Sequence, residues 1–133
     1  MDKHDFNQFR RVVDALHGED GCPWDKEQTL TSLVPHFRNE AQELVDAIES
    51  GDHANICEEL GDVLLHIATM AKLAEKDGLF TMDDVTDGIS RKMIRRHPHV
   101  FGDQKPLGKE DILKQWDEIK KAEKRTPLYR SSD

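Results

Sequence analysis

The chain has 133 residues, of which 35% are charged and 36% hydrophobic, and its formal net charge is −8. This length predicts a single domain, and this acidity argues against binding to a nucleic acid polymer, whose phosphates attract basic surfaces. No apolar run is long enough to span a bilayer, so we expect no membrane partner. The two cysteines, Cys22 and Cys57, form no CxxC arrangement. Together with an N-terminus unlike a signal peptide, they predict a cytoplasmic protein.

The chain begins with a predicted helix followed by a loop. Apolar residues recur at helical spacing from Phe6 to Leu16, with Asp5 as the candidate N-cap and Gly18 as the stop. Residues 18–30 are predicted to form a loop, and this loop contains Trp24. A large aromatic side chain in a loop either fills an apolar gap or offers a stacking surface to a nucleobase. The residues alone leave both interpretations open.

Two long helices are predicted next, over about residues 32–50 and 53–76, with Gly51-Asp52 as the turn between them. Pro35 is expected in the first turn of the first helix, where proline is tolerated. Apolar residues on two faces of the second helix indicate that it is covered on both sides, as in a bundle that dimerises. The predicted fold is therefore an all-α helical bundle, built on a long antiparallel hairpin and completed by dimerisation.

Two acidic pairs occupy matching positions in this hairpin. Glu40 and Glu43 lie three residues apart in its first helix, and Glu59 and Asp62 lie three apart in its second, so each pair shares one helix face. Folding the chain about residue 51 brings the pairs to the same height. Four converging carboxylates repel one another unless a cation joins them, and hard oxygen ligands indicate Mg²⁺, with Mn²⁺ as a possible substitute. The other interpretation is an ordinary solvated acidic face in a chain with 27 acidic residues.

A basic cluster lies at the end of the helix that is predicted to begin near Thr81 and to close at Pro98. Lys92, Arg95 and Arg96 share one side of this helix, at i, i+3 and i+4 spacing. Cations near a helix C-terminus stabilise the helix through its dipole. They also suit a phosphate clamp, because the planar arginine fork matches phosphate oxygens. Both interpretations stay open at this point.

Five stretches of the chain form a recognisable set: GCPWDKEQT at 21–29, EAQELVDAI at 40–48, EELGDVLL at 58–65, KMIRRHPHVFGD at 92–103 and WDEIK at 116–120. Together they resemble the MazG family of nucleoside triphosphate pyrophosphohydrolases. The family pattern EExxE…ExxD is met except at its first position, where this chain has Asn39 instead of Glu. The resemblance implies one MazG-like helical domain over residues 1–125, similar to the N-terminal half of longer members. The residues at 126–133 predict a flexible tail or an arm onto a partner subunit.

The resemblance also implies a homodimer or a dimer of dimers, and hydrolysis of an NTP or dNTP to the monophosphate and pyrophosphate. The four acidic residues would then hold Mg²⁺, with Glu43 or Glu40 as the catalytic candidate that orients the attacking water. The candidates for substrate binding are Lys92, Arg95, Arg96, Trp116, Lys120 and Trp24. A di-iron carboxylate bundle is discounted, because the chain has no Glu-x-x-His motif. The alternative function is a non-catalytic helical dimer that binds nucleotide or a protein partner.

Overall fold

The structure is a computed structural model that describes residues 2–103 and 107–125, so the tail predicted at 126–133 lies outside the described residues. These residues form seven α-helices and no strand, so the predicted all-α class is confirmed. The helices are α1 (Phe6–Leu16), α2 (Pro23–Glu27), α3 (Leu30–Ser50), α4 (His53–Lys76), α5 (Met82–Arg96), α6 (Pro98–Phe101) and α7 (Lys109–Arg125). The chain divides into two compact units, Met1–Met82 and Asp83–Asp133. None of the helices in the described ranges is long and apolar enough to cross a lipid bilayer.

Reciprocal hydrogen bonds fix the starts of two helices in the first unit. The Gln8 backbone N–H donates to the Asp5 side chain at 2.8 Å, and the Asp5 backbone N–H donates to the Gln8 side chain at 2.7 Å. Thr29 and Ser32 exchange the same pair of hydrogen bonds, at 3.0 and 2.8 Å. Such capping boxes satisfy N–H groups that have no partner inside the helix. Because Thr29 is the cap, α3 begins at Leu30, before the predicted start near residue 32.

Two local predictions were wrong, and each concerns a proline. Pro35 lies inside α3 and not in its first turn, because the Thr29 cap starts that helix earlier. The segment predicted as a loop contains the short helix α2, which begins at Pro23. Pro98 follows the end of α5 at Arg96, as predicted, and it also begins the four-residue helix α6. Proline suits the first turn of a helix, because the N–H that it lacks would have no helical partner there.

The connection between α3 and α4 consists of two residues with different roles. Gly51 ends α3 in the left-handed conformation (φ 74°), and its N–H donates to the Ala47 carbonyl at 3.2 Å. Glycine adopts this conformation without steric penalty. Asp52 then begins α4, where its side chain accepts a hydrogen bond from the Asn55 N–H at 3.2 Å. This short connection leaves α3 and α4 packed against each other.

The first unit has a small core where α1 packs on α4. Val13, Ala68, Ala71 and Met82 are buried in this core, and Phe9 packs against them. Other large apolar side chains of α3 and α4 stay exposed: Val34, Val45, Ile48, Leu60, Leu64, Leu65 and Ile67. Much of the apolar stripe that the sequence predicts for these two helices is therefore not covered by the described residues of a single chain.

Candidate active site

The two acidic pairs meet across the interface of α3 and α4. Glu40 and Glu43 come from α3, and Glu59 and Asp62 come from α4. Each residue offers one carboxylate oxygen, and these four oxygens all lie within 4.8 Å of one another. Residues three apart on a helix project from one face, so each helix presents its pair toward the other. The structure therefore brings all four predicted metal ligands into one cluster, which we call the carboxylate cluster.

The carboxylate cluster is partly shielded from water. Glu40, Glu59 and Asp62 are half-buried, whereas Glu43 is exposed. One oxygen of Glu40 and one of Glu59 (Oε2 in each) are inaccessible to solvent and have no hydrogen-bond partner among the described residues. A buried oxygen without a partner is costly to the folded state, and a bound cation is one of the few groups that can satisfy it.

The same environment shifts the acidities of two of these groups. Burial raises the pKa of Glu40, and the negative charges of Glu43 and Asp62 raise it further. Burial likewise raises the pKa of Glu59, and its carboxylate neighbours, beginning with Glu43, add to the effect. Desolvation and like charges both disfavour ionisation. A hard divalent cation removes both penalties, and four oxygen donors without thiolate or imidazole are the donor set that such a cation prefers. The residues present therefore fit a site for a divalent cation.

A cleft of about 210 Å³ adjoins the carboxylate cluster in the first unit. Glu40 belongs to both features, since it also lines the cleft. The other lining residues are Trp24, Asp25, Leu33, His36, Leu65, His66 and Thr69. The Trp24 ring stands edge-on to the His36 ring, with their centroids 5.6 Å apart, and 51% of Trp24 remains exposed. The half-exposed indole is thus supported on one side and open on another, as a stacking surface for a base would be.

Sequence reasoning missed the two histidines of this cleft. His36 precedes Glu40 by four residues, and His66 follows Asp62 by four, so the helical period places each on the same face as an acidic residue. That spacing could have identified them. Burial and the nearby His36 lower the pKa of His66. A lowered pKa favours the neutral imidazole, which offers one hydrogen-bond donor and one acceptor.

The predicted basic cluster lies in the second unit, and a carboxylate ties two of its members together. The Arg95 Nε donates to Glu123 Oε2 at 2.7 Å. The Arg96 Nε and Nη2 donate to Glu123 Oε1 at 3.2 and 2.8 Å. Only 8% of the Glu123 side chain is exposed, against 38% for Arg95 and 19% for Arg96. Lys92 is half-buried one turn earlier on α5. Glu123 was not among the residues singled out from the sequence.

Trp116 and Lys120 lie one turn apart on α7, also in the second unit. The Trp116 ring meets the His97 ring edge-on, with centroids 5.3 Å apart. Its indole N–H is buried and has no acceptor among the described residues. Lys120 is exposed. Because buried indole N–H groups usually find an acceptor, Trp116 keeps an unused donor on the helix that also carries Glu123.

The fold and the carboxylate cluster place the chain among all-α proteins that gather acidic side chains on two paired helices. The chain belongs to the MazG family, because its residues 28–101, more than half of its length, match the MazG nucleotide pyrophosphohydrolase domain. The crystal structure of a mazG-related protein from Thermotoga maritima is similar, with a TM-score of 0.74 and 26% sequence identity. This likeness covers 86% of the present chain and 98% of that chain.

Curated relatives extend the comparison. The chain is 50% identical, over 92% of its length, to the uncharacterized protein YabN of Bacillus subtilis, of which it covers 25%. It is 41% identical to the nucleoside triphosphate pyrophosphohydrolase/pyrophosphatase MazG of Thermotoga maritima, over 90% of this chain and 45% of that protein. It is also 41% identical to the nucleoside triphosphate pyrophosphohydrolase of Escherichia coli K12, over 89% of this chain and 46% of that protein. The chain therefore spans about a quarter to a half of the length of these relatives.

Proposed function

We propose that this chain is a metal-dependent nucleoside triphosphate pyrophosphohydrolase, which converts an NTP or dNTP and water to the monophosphate and pyrophosphate. The observation that carries this proposal is the carboxylate cluster, four converging acidic side chains in a chain of the MazG family. The names of the relatives from T. maritima and E. coli support the same reaction.

Glu40, Glu43, Glu59 and Asp62 are proposed to hold Mg²⁺, with Mn²⁺ as a substitute. When bound, the cation neutralises phosphate charge and lowers the pKa of water. Glu43 is the most exposed of the four side chains. We therefore assign to Glu43 the orientation of the water that attacks the α-phosphorus, with pyrophosphate as the leaving group. Glu40 belongs to the carboxylate cluster and also lines the cleft. It would therefore link the cation to the nucleoside end of the substrate.

Trp24 is proposed to stack on the nucleobase in the cleft beside Glu40. Its exposed indole face and its support by His36 favour this role over the filling of an apolar gap. Base–aromatic stacking tolerates every base because each has a π-face. The hydrogen-bonding groups of His66 and Thr69, which line the same cleft, are suited to read base or sugar edges.

The basic cluster, with Trp116 and Lys120, is proposed to bind the phosphate groups of the nucleotide. A guanidinium carries five N–H donors. The ion pair with Glu123 uses one donor of Arg95 and two of Arg96. Both arginines therefore keep donors for phosphate oxygens, and Lys92 adds a further charge. Such donors stabilise the negative charge that develops during phosphoryl transfer.

A second copy of this chain is the proposed partner. Leu60, Leu64 and Ile67 recur on one face of α4, and all three are exposed in the single chain. Val45 and Ile48 add exposed apolar area on α3. Contiguous apolar surface of this kind marks interaction sites. Covering it by self-association would complete the helical bundle, as a homodimer or a dimer of dimers.

A substrate panel tests the proposed function. The assay measures pyrophosphate release from all canonical NTPs and dNTPs and from several damaged dNTPs, with Mg²⁺, with Mn²⁺ and with EDTA. We expect release from at least one substrate with metal and none with EDTA. Nucleotide binding without turnover in the same samples would instead support the non-catalytic alternative.

A further inference from the structure

The basic cluster owes its arrangement to one carboxylate. Glu123 contacts Arg95 through one oxygen and Arg96 through the other, at 2.7 to 3.2 Å. Both arginines are on α5 and Glu123 is on α7, so the contact joins two helices of the same unit. The two arginines lie 28 and 27 residues before Glu123 in the chain. Glu123 is thus a shared anchor for two neighbouring guanidinium groups.

The surroundings of Glu123 favour the ionised form of its carboxyl group. The hydrogen bond from Arg96 holds the pKa of Glu123 below its usual range against an opposing effect of burial, and Arg95 adds to the lowering. A buried carboxylate is stable only when it is paired and hydrogen-bonded. Here three charge-assisted hydrogen bonds meet that requirement. Together, Lys92, Arg95, Arg96 and Glu123 still carry two units of net positive charge, so the cluster keeps its attraction for anions.

Anchoring matters because arginine side chains are flexible. A free arginine side chain populates many rotamers, and a ligand that orders the side chain must overcome the loss of that entropy. Contacts that order a binding group in advance improve recognition by reducing this loss. Glu123 also lies three residues after Lys120 and seven after Trp116. This spacing puts all three on one face of α7, so the anchor and two substrate-binding candidates share a surface.

We propose that Glu123 is a positioning residue for phosphate recognition: its two contacts fix Arg95 and Arg96 so that their remaining N–H donors are ordered before a phosphate chain arrives. This inference rests on the proposed function for its role in catalysis. The competing explanation is that Glu123 only ties α7 to α5 and contributes to stability.

The direction in which one substitution changes the affinity for phosphate separates these explanations. Glu123→Gln removes a negative charge beside the arginines, so charge alone would tighten the binding of an anion. Loss of positioning would weaken it. We expect calorimetry at 20 °C to show at least a fivefold weaker Kd for inorganic tripolyphosphate, and at least a tenfold lower kcat/KM for the best nucleotide. Unchanged or tighter tripolyphosphate binding in a folded Glu123→Gln protein would overturn the proposal, even if its Tm falls.

Three further variants sharpen the test. Glu118→Gln is the matched control, because it makes the same charge change at an exposed position of α7, and it should leave the Kd within twofold. Glu123→Asp keeps the charge but shortens the side chain by one methylene, so we expect it to weaken binding too; it also replaces Glu123→Gln if that variant fails to fold. In an Arg95→Gln/Arg96→Gln background, Glu123→Gln should cause no further loss, and a full additional loss would contradict action through the arginines.

The tripolyphosphate measurement does not depend on turnover. If the wild-type chain binds tripolyphosphate but releases pyrophosphate from no nucleotide, the proposed function fails while the role of Glu123 is still tested by the change in Kd. If the wild-type chain hydrolyses nucleotides and Glu123→Gln leaves both the Kd and kcat/KM unchanged, the positioning role fails and the proposed function stands.

Discussion

Replacing Glu43 by Gln should separate two effects of the carboxylate cluster on stability. Without metal, the carboxylates repel one another; with metal, they bind the cation. The carboxylate oxygens that Glu40 and Glu43 offer lie within 4.8 Å of each other. Two like charges at that outer limit repel by about 0.9 kcal/mol in a medium as polar as water, before screening by salt. Glu43 is exposed, so this polar limit applies to it. Removing its charge therefore relieves about 0.9 kcal/mol of repulsion with Glu40. For a chain of this size, that corresponds to a rise in Tm of about 3 °C at low ionic strength.

Metal binding should change in the opposite direction. A cation that binds only the folded state raises stability by about 2.7 kcal/mol at 100 times its Kd, or about 10 °C in Tm here. Glu43→Gln removes one of four candidate ligands, so we expect the Mg²⁺-induced rise to fall to less than half of the parental value. Turnover should fall by about a hundredfold or more, because the same residue is assigned to orient the water.

The measurements are thermal melts with EDTA and with Mg²⁺, together with pyrophosphate release. Glu49→Gln is the control, since it makes the same charge change at an exposed site on α3 away from the cluster. It should preserve both the Mg²⁺-induced shift and the activity. Activity within tenfold of the parent, or an undiminished Mg²⁺-induced shift, in Glu43→Gln would refute the reasoning.

Three further predictions follow from the same contacts. The pKa values of Glu40 and Glu59 are raised in the folded chain. The stability that these two groups contribute is therefore present below the unfolded pKa near 4.3 and is lost as the pH rises through the folded pKa. Thermal melts from pH 4.5 to 7 should show that the Mg²⁺-induced rise in Tm grows with pH, and a constant rise would contradict this prediction. Arg96→Gln should destabilise the fold by about 1–3 kcal/mol, since it leaves the nearly buried Glu123 carboxylate short of donors. It should also lower kcat/KM about a hundredfold. The control Arg91→Gln, on the exposed side of α5, should change neither stability nor kcat/KM in parallel denaturation and rate assays. Leu64→Glu should shift the sedimentation of the protein toward that of a monomer, and an unchanged oligomer would argue that this face of α4 is not the interface.

Long periodic segments were predictable from the residues. The expected helix over 53–76 coincides with α4, because Asp52 caps its start and Asp77-Gly78 ends it. The convergence of the four carboxylates was also predictable from residue spacing. The i, i+3 spacing places each acidic pair on one helix face, and the two-residue turn brings both pairs to the same height along the two helices. The helical period does not predict how deeply each carboxylate is buried, because burial depends on the side chains packed around it.

Short and long-range features escaped prediction for different reasons. The five-residue helix α2 is too short to show a period. Glu123 stands in a helix where acidic and basic residues alternate along WDEIKKAEKR, and nothing local distinguishes the one carboxylate that becomes buried against two arginines. The earlier start of α3 depends on its cap at Thr29, and the apolar period alone does not fix the terminal residue of a helix.

The two-residue connection at Gly51-Asp52 limits how the length of this chain can vary. Glu43 lies eight residues before Gly51, and Glu59 lies eight residues after it. One residue inserted into α4 between Asp52 and Glu59 would rotate everything beyond it by about 100° and advance it by about 1.5 Å. Glu59 and Asp62 would then leave the carboxylate cluster, although no ligand had been replaced. Insertions between the first and the last ligand of the cluster should therefore abolish activity. Variants with altered lengths should retain activity only when the added residues lie outside residues 40–62.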